Sequence, residues 1–134
     1  MVVVAIVGIL AAVGYPSYTD YVVRGALTDA NSGLATARAM MERYYQDNRT
    51  YASVGTFTTP CAVTDAAKRT YGNFVVACIG TPTATTYTLS ATGSGTVSGF
   101  TFTINESDVR ATTAAKTGYN TCTTKWLMKK GETC

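Results

Sequence analysis

Along the first fifteen positions, MVVVAIVGILAAVGY, a helix would be apolar on every face. Such a helix is buried in protein or in lipid. Its β-branched residues do not veto the helix, because environment outweighs intrinsic propensity. After Tyr15 the pattern becomes periodic. Val22, Ala26, Ala30, Gly33/Leu34, Ala37, Met41 and Tyr44 follow at steps of three and four, which places one apolar stripe along a helix. Arg24, Thr28, Asn31, Arg38, Glu42 and Gln46 take the opposite face. Asp20 and Arg24 stand in the favourable i, i+4 order, worth a few tenths of a kcal/mol. The pattern predicts one continuous helix from residue 1 to about 48, about 70 Å long. Gly8, Gly14 and Pro16 lie near the join. Pro16 cannot donate to the carbonyl of Ala12, which predicts a gentle kink.

The remaining chain reads as strands and connections. Residues 49–71, with Gly55, Pro60 and many Thr and Ala, form the link from helix to sheet. NFVVACI (73–79) is partly apolar on both faces and suits a central strand. TYTLSA (86–91) alternates, with Tyr87, Leu89 and Ala91 on one face; FTFTIN (100–105) does the same with Phe100, Phe102 and Ile104. A short fourth strand covers 109–112. Connections of these lengths favour antiparallel pairing. The expectation is an α+β fold: a long N-terminal helix packed on a four-stranded antiparallel sheet (72–113), followed by a C-terminal loop (114–134). The apolar half-helix is 1–21 and the head 22–134, with the amphipathic half-helix spanning 22–48.

Composition sharpens this picture. Only 14% of residues are charged, because residues 1–19 carry no charged side chain. The net charge of +3 is uneven. From Val109 onward there are five basic residues against Glu132 alone. The four cysteines are scattered, with no C-x-x-C spacing, and there is no histidine. That excludes a Cys/His zinc site and points to disulfides in an oxidising compartment. Four cysteines allow three pairings. The shortest loops favour Cys61–Cys78 and Cys122–Cys134, each worth about 3 kcal/mol by chain entropy. The second loop has few strand or helix signals, so its disulfide is expected to order it.

The string MVVVAIVGILAAVGYPSYTDYVVR resembles the N-terminal helix of type IV pilins, with the apolar run, the glycines, Pro16-Ser17-Tyr18 and Arg24 in the family's order. Looser matches follow in ERYYQDNRTY (42–51), TYTLSAT (86–92), FTFTINESDVRATTAAKTG (100–118) and CTTKW (122–126). Together they resemble the minor-pilin class that includes the DNA-uptake receptor pilins. The family's processed leader, first phenylalanine and early glutamate are not in this string. Fifteen apolar residues span about 22 Å, and six more would add about 9 Å, reaching the thickness of a bilayer's hydrocarbon core. The expectation is therefore a trimmed or misassigned start.

The resemblance implies a single-pass inner-membrane protein with its head in the periplasm, later polymerised with other pilin subunits into an extracellular pilus. The interface with membrane or filament would be Met1, Val4, Ile6, Gly8, Ile9, Leu10, Val13, Gly14 and Pro16. The stretch around Pro16 either bends gently or melts when subunits pack. Tyr15, Tyr18 and Tyr21 form an interfacial belt or pack on neighbouring subunits.

Catalysis finds no support. Without histidine there is no Ser-His or Cys-His pair. Gly93–Gly99 lacks the Gly-Lys-Ser/Thr ending of a phosphate loop and reads as a flexible turn between strands. Asn48-Arg49-Thr50 and Asn105-Glu106-Ser107 fit the glycan sequon by chance. No cofactor, metal or small-molecule substrate is expected. The basic C-terminal region is the one site candidate: Lys116, Lys125, Lys129 and Lys130, joined by Lys68 and Arg69, would contact DNA phosphates, with Trp126 stacking on a base. The bland alternative is a solvated loop with a core tryptophan. Three functions compete. A structural pilus subunit supporting adhesion, twitching motility or DNA uptake leads; a DNA-binding receptor pilin follows. A pseudopilin of a type II secretion system ranks last, because its calcium loop needs carboxylates and the last 26 residues hold only Glu132.

Overall fold

The computed structural model describes residues 1–134 apart from Pro16. The periodic N-terminal segment is one helix, α1 (Val2–Asn48). The expected kink at Pro16 lies outside the described residues. The helix ends where Arg49 turns into the left-handed region (φ 58°, ψ 23°) and gives its N–H to the Tyr45 carbonyl at 2.7 Å. The chain then folds back. Tyr51 enters the core, where its ring lies tilted against Tyr45 and edge-on to Tyr87, each centroid 4.6 Å away.

Five strands follow: β1 (Thr70–Tyr71), β2 (Phe74–Cys78), β3 (Thr88–Gly93), β4 (Thr101–Asn105) and β5 (Arg110–Ala114). They form one antiparallel meander in the order β1-β2-β3-β4-β5. The sheet has one strand more than the sequence pattern predicted. Strand β1 is two residues long, too short to display an alternation, and is joined to β2 by Gly72 (φ 54°) and Asn73.

The core lies between α1 and one sheet face. Leu27, Ala30, Leu34, Ala37 and Met41 meet Phe74, Val76, Leu89, Ala91, Phe102 and Ile104, all buried. Register explains the fit. Val76, Ala91 and Phe102 are aligned neighbours across three strands, so small Ala91 leaves room beside the large ring. The helix stripe differs from the expected one at its start. Val22 is exposed, while Val23 packs against the core and Leu27 is fully buried. The steps 23, 27, 30, 34, 37 and 41 keep a tighter repeat than a stripe begun at 22, because the sheet meets the helix along a line of fixed direction.

The helix face assigned to solvent is also partly occupied. Arg38 donates to Asp108 at 2.6 Å. Glu42 accepts hydrogen bonds from the hydroxyls of Tyr51 and Tyr87, each 3.1 Å away. Asp20 lies 3.6 Å from the Lys130 ammonium, across the chain rather than along its own helix.

Two disulfides are present. Cys61–Cys78 ties the helix–sheet connection to the end of β2, and Cys122–Cys134 closes the C-terminal loop. That loop has further fasteners. Cys122 and Thr112 exchange backbone hydrogen bonds. The buried Thr112 hydroxyl donates to the Lys125 carbonyl and accepts from the Leu127 N–H at 2.8 Å. Leu127 is fully buried. The disulfide therefore does not order the loop alone: a polar clamp and an apolar anchor share that role.

Candidate nucleic-acid and membrane surfaces

The first element to place is the apolar end of α1. Met1, Val4, Ile6, Ile9, Leu10 and Val13 are all exposed, from 52% for Ile6 upward, and Gly8 and Gly14 have open space around them. Tyr15, Tyr18 and Tyr21 are each more than two-thirds exposed. So large an apolar surface is far beyond what a monomer in water presents. The helix is long and apolar enough to cross a membrane.

The basic candidates divide into three places. Lys68 and Arg69 end the short turn Ala66–Arg69 that leads into β1, at one edge of the sheet. Arg69 is spent on the fold: its guanidinium donates to the carbonyls of Val63 and Val76, both at 2.6 Å. Lys125, Trp126 and Lys129 belong to the loop bonded to β5, at the opposite edge. Lys116 and Lys130 lie lower, beside the helix at residues 18–23. The six cations and the tryptophan thus do not form one patch. Sequence proximity joined residues that the sheet holds apart.

Within the loop, Trp126 is anchored. Its indole N–H donates to the Thr103 carbonyl at 2.8 Å, and the Arg110 guanidinium lies over the ring, 4.7 Å from its centroid. Arg110 contributes a cation that the sequence reading had left out. It sits on a strand rather than in the basic tail, and only the fold brings it to Trp126. Asp108 contacts both Arg38 and Arg110. Arg38, Arg110 and Trp126, with Asn31, Ala35, Ala39, Glu42 and Ile104, line a groove of about 320 Å³.

Glu132 organises the loop's tip. Its carboxylate accepts the backbone N–H groups of Met128 and Lys129, at 2.9 and 3.1 Å. Those bonds, led by Met128 and aided by Lys125 and Lys129, hold its carboxyl below the usual carboxylate range. Its 3.9 Å approach to Lys125 is a surface contact of small weight. Lys129 is exposed beside it. Among the described residues no group of His, Cys, Asp and Glu could hold a metal ion.

Residues 16–124 match the family described as type IV minor pilin ComP, DNA uptake sequence receptor. The chain belongs to the ComP family of type IV minor pilins. It is also similar to the fimbrial protein EcpC of Eikenella corrodens, at 32% identity over 97 residues, 69% of this chain. The chain spans about 60% of the length of that curated relative. The match covers the helix from residue 16 onward and the whole antiparallel sheet. It ends at Thr124, so Lys125, Trp126, Lys129 and Lys130 fall just beyond the matched span.

Proposed function

We propose that this chain is a minor structural subunit of a type IV pilus that also holds DNA on its head. The observation that carries the first half is the apolar end of α1, exposed throughout and continuous with the shaft that packs the head. Before assembly this end is held by the inner membrane, with the head in the periplasm. On assembly it exchanges lipid contacts for contacts with the helices of other pilin subunits. Residues 1, 4, 6, 8–10, 13, 14 and 16 form that interface. The role needs no catalysis, in keeping with the structural character of the proteins it resembles. Immunogold labelling should find the chain along filaments; label confined to inner membranes would refute the assignment.

The second half draws on the family's description as a DNA uptake sequence receptor. In this chain the favoured contacts are Lys125 and Lys129, on the loop that Trp126 and Cys122–Cys134 hold in place. Phosphate contacts release counterions, so binding should weaken steeply with salt. Lys125→Ala with Lys129→Ala should lower the slope of log affinity against log salt by about 2. Lys68→Ala, at the far sheet edge, should leave it unchanged. The measurement is fluorescence anisotropy of a labelled duplex with the full chain in detergent. Absence of binding at roughly 50 mM salt would sink the DNA role and leave the pilus role standing.

A further inference from the structure

A second group of cations lies where the head meets the helix, away from Lys125 and Lys129. Lys130 is 3.6 Å from Asp20. Lys116 shares a cleft of about 220 Å³ with Tyr18, Thr19, Val22, Val23 and Thr96. Arg24 is exposed one turn beyond Asp20. The Tyr119 N–H donates to the Lys116 carbonyl at 2.9 Å and the Gly131 N–H to the Gly118 carbonyl at 3.0 Å, which holds the segments of the two lysines together. Three positive charges face one negative charge, which leaves this region net positive.

The order of residues along the rod gives the surface its meaning. Residues 2–13 are exposed and, with Gly14, uncharged; Tyr15, Tyr18 and Tyr21 come next, exposed; Lys116 and Lys130 lie level with residues 18–23, and Arg24 follows. Apolar, then aromatic, then cationic is the sequence of environments from a bilayer's hydrocarbon through its interface to its phosphates. Two of the cations come from the head, not the helix, so the head itself would touch the lipid surface.

We propose that Lys116, Lys130 and Arg24 form a collar that binds the phosphates of anionic lipid headgroups and seats the head against the membrane before assembly. This rests on the membrane-held stage proposed above. Charge complementarity and continuity with the apolar helix both favour a lipid surface over a soluble partner.

The test uses the full chain in nanodiscs of phosphatidylcholine alone or mixed with phosphatidylglycerol, each carrying a trace of lipid with a nitroxide on its headgroup. Paramagnetic broadening of backbone amides is read by NMR. The amides of Lys116, Tyr119 and Lys130 should broaden severalfold more in the anionic discs. Lys116→Ala with Lys130→Ala should remove that difference, and Lys116→Arg with Lys130→Arg should keep it. Equal broadening in both discs would overturn the collar alone. A chain that enters neither disc would overturn the membrane-held stage and the collar with it. Loss of duplex binding in the double alanine variant, with lipid broadening unchanged, would assign these lysines to DNA and refute the proposal.

Discussion

Glu42 is the residue whose surroundings reveal most. Helical spacing puts it among the polar residues of the outer face, yet the Tyr51 and Tyr87 hydroxyls both donate to its carboxylate. Burial first, and then the Glu42 hydrogen bond, pushes the Tyr51 phenol up to about 12. Burial and the same carboxylate raise Tyr87 as well. An unfolded phenol titrates near 10. A raised folded value therefore means a contribution fully present below about pH 10 and lost as the pH climbs towards 12. Glu42→Ala should leave two hydroxyls without their acceptor and cost about 1–3 kcal/mol in urea denaturation. Ultraviolet titration should show Tyr51 ionising closer to 10. Unchanged stability would mean that water replaces the carboxylate freely. None of this was legible in the sequence. The partners lie 9 and 45 residues away, and a helical repeat carries no information about either.

Between elements, one close approach is where α1 crosses β1. A Cβ added at Gly33 would lie 2.8 Å from the Tyr71 ring, against its root rather than its mobile tip. Gly33→Ala should force the helix and strand apart and destabilise the head by about 1–3 kcal/mol, by thermal or chemical denaturation. A neutral result would show that Tyr71 swings clear. The sequence stripe did include Gly33 beside Leu34, so its inward direction was readable. The reason for the glycine was not, because β1 is too short to be seen before its partner Phe74 is in place. The long helix and the two alternating strands were legible, because each repeats its period several times, and β2 was legible as a short run apolar on both faces. The helix phase was readable only to within one residue. Val22 and Val23 are chemically alike, and the direction of the sheet decides which of them is buried.

For the whole molecule, cross-linking and packing divide the stabilisation of a small head. Replacing Cys122 and Cys134 by serine should cost about 3 kcal/mol by chain entropy. Thr112, Leu127 and Trp126 should still hold the loop near β5, so hydrogen exchange should rise at 129–134 more than at 122–127. Uniform loss of protection across the loop would give the disulfide sole charge of it. The basic candidates show the limit of linear reading at this scale. Lys68 and Lys125 are both unremarkable surface lysines in the sequence, and only strand order assigns them to opposite edges.

Because residues 2–13 stand clear of the head, its folding is deaf to them. Those positions can be rewritten to suit a different lipid or a different neighbour without retuning the rest. From Val23 onward the helix no longer has that freedom, because its inward residues are fixed by the sheet they pack against.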